Sequence, residues 1–134
     1  MTSIESRNGS GPGFILYHSQ GTLSGKKVIL ATGGRSVPKS GSDGFGYELA
    51  RRLSHRVTTT VPALVPLVLD DRMFHTILSG LSQEVDLTTM VSGKETDRQT
   101  GSLLWTHFGM SGPVVMDASR FWTIGHQQGK TVEV

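Results

Sequence analysis

Apolar residues change their spacing twice along this chain, and each change predicts a different kind of element. Val28-Ile29-Leu30 is a run with no polar alternation, the pattern of a strand buried on both faces inside a parallel sheet covered by helices. The run stops on Ala31-Thr32-Gly33-Gly34. Phe45, Leu49 and Leu53 then fall at i, i+4 and i+8, which predicts a helix with one buried stripe, opened by capping residues at Ser42 and Asp43. After His55 the residues become β-branched and apolar, as Val57 to Val61 and Ala63 to Leu69. Pro62 and Pro66 confine such strands to edges, bulges or ends. Val85 to Val91 alternates imperfectly, Ser92-Gly93-Lys94 supplies a turn, and Gly101 to Thr106 returns as another strand. This half predicts a small antiparallel barrel or sandwich. Ser111, read as an N-cap, and Pro113 in the first turn open a short helix over Val114 to Phe121, and Lys130 to Val134 begins a last strand.

Upstream of the apolar run, Phe14 to His18 reads as a strand and Gly21 to Gly25 as a turn leading into a strand over Lys26 to Thr32. Residues 1 to 12 read as a flexible arm that ends in the Gly9 to Gly13 stretch. The expectation is an α+β chain in three parts. The arm is followed by an α/β segment over residues 13–56, and then by part of an antiparallel β-barrel domain with a short helix over residues 57–134. The α/β part holds only one strongly buried strand, too little to be covered on both faces by what is present.

Composition narrows the function classes. The 134 residues carry 36% hydrophobic residues and 17 glycines, so the core is thin and much of the chain is loop. Cysteine is absent, which removes disulfides and thiolate chemistry and fits a cytoplasmic setting. Met1 to Gly13 is polar, unlike a signal peptide or membrane anchor, and no run approaches the roughly 18 apolar residues of a spanning helix. Net charge is +2 with scattered basic residues, so neither a nucleic-acid partner nor a membrane is expected.

Five glycine or histidine features could carry chemistry. Gly33 and Gly34 are either a turn after a buried strand or the floor of a nucleotide or flavin site at a strand's carboxyl end. Gly44-Phe45-Gly46 opens like a dinucleotide fingerprint, but Leu49 holds the third glycine's place and no strand precedes it. Gly125 to Thr131 is one residue short of a phosphate loop and reads as a hairpin turn. Gly109-Met110-Ser111-Gly112-Pro113 is similar to a nucleophile elbow, with Pro113 in place of the last glycine, so Ser111 is expected as a cap rather than a nucleophile. His107, just ahead of that helix start, could meet a ligand or simply be solvated. The histidines show no metal-ligand spacing, and no metal or catalytic residue is assigned.

Taken together, residues 28–47, Ser54-His55, Pro62-Ala63-Leu64-Val65-Pro66-Leu67 and Gly101 to Pro113 resemble the BaiN-like, aminoacetone-oxidase-like family of FAD-binding oxidoreductases. The resemblance runs from Phe14 to Trp122, with the blocks in the family's order. Ser54 stands where the family has Gly, and Phe45 where it has Asp. The resemblance implies that Thr32, Gly33, Gly34, Gly41, Ser42, Gly44 and Tyr47 face the FAD, and that His107, Ser111 and Gly112 lie toward the flavin or substrate. It implies that residues 13–56 are a partial FAD-binding segment and residues 57–134 part of an inserted barrel domain over the flavin. It also implies that the pyrophosphate-gripping Gly-x-Gly-x-x-Gly segment and a return segment lie outside this chain. Weak or absent FAD binding, and no activity, is then expected of the chain alone. In the full-length setting its partners are FAD and a small-molecule substrate. The alternative is a non-catalytic β-rich module that self-associates or pairs with a complementing chain.

Overall fold

The computed structural model describes residues 2–7 and 13–134, and the chain divides into two compact units, residues 1–59 and 60–134. In the first unit β1 (Ser3–Arg7), β2 (Gly13–His18) and β3 (Gly21–Gly25) form an antiparallel sheet in chain order. Ile4 sits opposite Leu16 in this register and is the sheet's buried residue. The Tyr17 hydroxyl donates to a Glu5 carboxylate oxygen at 3.1 Å, and this bond holds the phenol above its ordinary pKa. The part of the expected arm that the structure describes is therefore a strand, while residues 8–12 lie outside the described residues. Gly21 to Gly25, expected as a turn, is also a strand, and the turn is made by Ser19 and Gln20.

The apolar run departs furthest from expectation. Residues 27–34 have no regular secondary structure and pair with no described strand. Ile29 is 91% exposed. A run of Val, Ile and Leu announces an environment, burial on both faces, but burial needs ladder partners and covering helices. The described residues supply neither, because β1 to β3 pair among themselves.

The predicted helix forms as α1 (Phe45–Arg52), and its stripe is seated as expected, with Leu49 fully buried and Phe45 and Leu53 half-buried. Its exit is a Schellman turn: the Ser54 N–H donates to the Arg51 carbonyl and the His55 N–H to the Ala50 carbonyl, at 2.9 and 3.0 Å. Ser54 adopts φ 66° to close it.

In the second unit β4 (Leu67–Val68), β5 (Ser82–Val91), β6 (Lys94–Thr106), β7 (Gly109–Ser111) and β8 (Val132–Glu133) form an antiparallel sheet. Its order is β4-β7-β6-β5-β8. This is the expected barrel-type sheet, open at β4 and β8. Helix α2 (Pro113–Gln127) packs on it, and the core gathers Leu67, Leu87, Leu103, Val114, Val115 and Ala118. Of the two proline-broken strands expected before Asp70, only Leu67–Val68 joins the sheet, since Pro lacks the N–H a ladder needs. Gly125 to Thr131 is not a hairpin turn. It is the last turn of α2 and its exit, with Gly129 at φ 67° and the Lys130 N–H donating to the Gly125 carbonyl at 2.9 Å.

Candidate functional site

In the first unit, the turn after the apolar run and the entry to α1 lie against each other, with side chains of each segment filling the space beside glycines of the other. A side chain at Gly33 would stand 2.6 Å from Ser42 Oγ, and one at Gly34 would stand 3.2 Å from the Tyr47 hydroxyl. A side chain at Gly46 would collide with Thr32 Oγ1. Glycine at these positions is a condition of the contact, and three hydroxyls, from Thr32, Ser42 and Tyr47, gather around the bare main chain that results. The Asp43 to Tyr47 entry, exposed at Asp43 and buried at Gly44 and Gly46, is held by an Asx-type bond, the Phe45 N–H donating to Asp43 Oδ1 at 2.9 Å.

Gly44 belongs to the same cluster but meets a residue the sequence reading passed over. The Arg35 side chain fills the space a Gly44 Cβ would take, and its guanidinium carbon lies 5.9 Å from the Tyr47 ring centroid. Arg35 thus brings a positive charge to the hydroxyl cluster. The signal in the sequence was its place directly after Gly33-Gly34. Gly41, at φ 97°, has nothing within 4 Å of its Cβ position and stands apart from the others.

In the second unit, the three expected substrate-side residues fall on the β6–β7 hairpin and the α2 entry. His107 is exposed in the turn, edge-on to Phe108 at 5.0 Å. Ser111 pairs with Leu104 at the far end of β7, so the strand's length separates it from His107. Ser111 is not the N-cap of α2. Gly112 is, at φ 95°, because the chain approaches the Ser102 carbonyl too closely for a side chain there. No base stands hydrogen-bonded to Ser111 among the described contacts, so the arrangement does not form a nucleophile elbow.

Two features of this unit had no signal in the motif reading. The buried histidine is His75, in the 3-10 turn Phe74–Thr76, with neither ring nitrogen partnered. Its neighbour Phe74 packs on Trp105 at 5.4 Å between ring centroids. An apolar cleft of about 310 Å³ also opens between β4, β8 and α2, lined among others by Leu67, Met110, Trp122, Val132 and Val134. At the exposed end of this unit Asp70 accepts two bonds from the Arg72 guanidinium at 3.0 Å and one from its N–H. These hold its carboxyl below the ordinary range. No helix among the described residues is long and apolar enough to cross a membrane.

Residues 61–134 match the HI0933-like protein barrel and H2TH domain. Over 131 residues the chain is 31% identical to a 3-dehydro-bile acid delta(4,6)-reductase of Clostridium scindens, covering 98% of this chain and 32% of that protein. It is 36% identical over 122 residues to a ribosomal RNA dihydrouridine synthase of Haemophilus influenzae, covering 90% and 28%. The Escherichia coli protein of the same description is 31% identical over 115 residues, covering 84% and 28%. The chain thus spans about a third of the length of the curated relatives it matches. With the barrel-type sheet and α2 built from the matched residues, the chain belongs to the HI0933-like family of FAD-dependent oxidoreductases.

Proposed function

We propose that this chain supplies one flavin-facing turn and part of the barrel domain of an FAD-dependent oxidoreductase, and that it is inactive on its own. The observation that carries this reading is the contact between Thr32-Gly33-Gly34 and Ser42 to Tyr47. The residues fit such a cofactor chemically. Hydroxyls of Thr32, Ser42 and Tyr47 can donate to or accept from the polar edge of a flavin, and Arg35 can face its negative charge. Gly41 leaves open space beside the loop, and Gly44 makes room for the Arg35 side chain. A bound flavin supplies the hydride chemistry, while the protein holds it and orients the substrate. In the second unit His107, Ser111 and the backbone at Gly112 are the groups assigned to the substrate side.

The state of residues 27–34 supports the inactive part of the reading. A flavin-facing turn is held by the strand that leads into it, and this strand has no ladder in the described chain. The family's longer relatives carry the length from which its partners would come. FAD titration followed by flavin fluorescence tests the proposal. Weak or undetectable binding is expected from the wild-type chain, and tight stoichiometric binding overturns the claim that it is incomplete.

The exposure of Ile29 favours a second reading, in which the same unpaired segment joins two copies of the chain in a non-catalytic module. Light scattering separates the two. A concentration-dependent dimer whose Val28 to Thr32 amides are protected supports the module, and a strict monomer removes it.

A further inference from the structure

Each unit leaves one kind of surface without a partner. In the first unit the run Val28-Ile29-Leu30 pairs with no described strand, and both Ile29 and Leu30 are exposed. In the second unit the sheet ends on β4 and β8, and among the described residues each of these strands is paired on one side only. The apolar cleft of about 310 Å³ lies between these two strands. Three of its lining side chains, Val68 at 76%, Val134 at 44% and Trp122 at 38%, remain open to solvent.

A free strand edge beside an apolar floor suits one kind of occupant, an extended segment whose backbone bonds to the edge while alternate side chains enter the floor. An apolar small molecule uses the floor alone. The two edges are not equivalent, because Pro66 directly precedes β4 and guards it, whereas Val132-Glu133-Val134 contains no proline. The first unit holds a segment of the required chemistry. Val28 and Leu30 are two positions apart, so in an extended chain both point to one face, and Ile29 points to the other. Charge agrees with the match. Lys26 and Lys27 lead into the run, while Glu133 stands exposed on β8 and takes part in none of the ion pairs among the described residues.

We propose that Lys26 to Ala31 of one copy docks as an added strand on the β8 edge of a second copy, with Val28 and Leu30 entering the cleft beside Trp122. This rests on the self-associating reading and gives it a form, since two unlike surfaces meet and the contact is heterologous rather than run against run.

The experiment uses full chains in which one surface at a time is disabled, by Leu30→Asp in the run or by Val68→Arg, Val134→Arg at the cleft, all at exposed positions. Sedimentation velocity is expected to show wild type associating with concentration and each variant alone as a monomer. An equimolar mixture of the two variants should form a 1:1 heterodimer, because each supplies the surface the other lacks. If the cleft variant still associates by itself and the mixture forms no heterodimer, the docking is overturned while the self-associating reading stands. A wild type that is monomeric at every concentration removes both. A peptide of residues 25–34, titrated into the Leu30→Asp chain, reports the site directly through a shift of Trp122 emission to shorter wavelength. The same peptide carrying Leu30→Asp is expected to bind about tenfold or more weakly, since a carboxylate would enter an apolar cleft. With Ile29→Asp, whose side chain points away, it should stay within about threefold. Equal losses from the two substitutions, or equal binding by a scrambled peptide of the same composition, overturn the proposed register and with it the docking.

Discussion

The two units solve the same problem, how to bury apolar side chains in a thin chain, with opposite success. In the second unit six core residues close on one another, and the helix that covers them is drawn from the same stretch of sequence. In the first unit the buried hydrophobic residues are Ile4 and Leu49, while the Val28-Ile29-Leu30 run is half-buried at Val28 and exposed at Ile29 and Leu30. An apolar run is a demand for partners, and local sequence meets that demand only when the partners are close by in the chain.

Amide exchange should show the difference at its largest. The β5 and β6 amides, paired over ten register positions, are expected to exchange roughly a thousandfold more slowly than those of residues 27–34, the ratio for about 4 kcal/mol of opening free energy. Comparable protection in the two segments would mean that the apolar run is laddered in solution, and the contrast between the units would fall.

Substitution sharpens the same comparison. Leu103→Ala, at a position 3% exposed, is expected to cost about 2–5 kcal/mol in urea unfolding. Ile29→Ala, at 91% exposure, should change stability by less than about 0.5 kcal/mol. Both tryptophans, Trp105 and Trp122, lie in the second unit, so their fluorescence reports the first variant and circular dichroism is needed for the second. A large loss from Ile29→Ala would place that side chain in a core the structure does not show.

The smallest expected effect concerns how the two helices end. Both close with a Schellman turn, but α2 uses Gly129 at φ 67° and α1 uses Ser54 at φ 66°. A left-handed residue with a Cβ costs about 1–2 kcal/mol, and glycine gives back part of that by loosening the unfolded chain. Ser54→Gly should therefore stabilise the first unit by about 0.5–1 kcal/mol in thermal or denaturant unfolding. A loss of stability would show that the serine side chain makes a compensating contact.

Legibility followed the range of the interactions. The α1 stripe at Phe45, Leu49 and Leu53, the β5–β6 hairpin around Ser92-Gly93, and Pro113 in the first turn of α2 were all readable, because each depends on residues a few positions apart. Of the site, the Thr32 to Gly34 turn and the Ser42 to Tyr47 entry were legible as glycine-rich segments. Their mutual contact and the part of Arg35 in it were not, since no spacing rule joins residues 32 and 46. Ser111 was misread as a cap because the residue type suits the role. The close approach of the Ser102 carbonyl gives the position to Gly112 instead. His107 drew attention by its neighbours, whereas the buried His75 sits in a short turn with no periodic pattern to mark it.

By itself the sequence determined the family, the antiparallel character of residues 82–106, the helix stripes and the glycines that admit close approach. Those are set by side-chain size, backbone freedom and short-range periodicity. Tertiary structure alone decided that β8 returns to pair with β5 and that Val28 to Leu30 stands unpaired. Strand pairing depends on which distant groups arrive, and the order of residues along a chain does not carry that information locally.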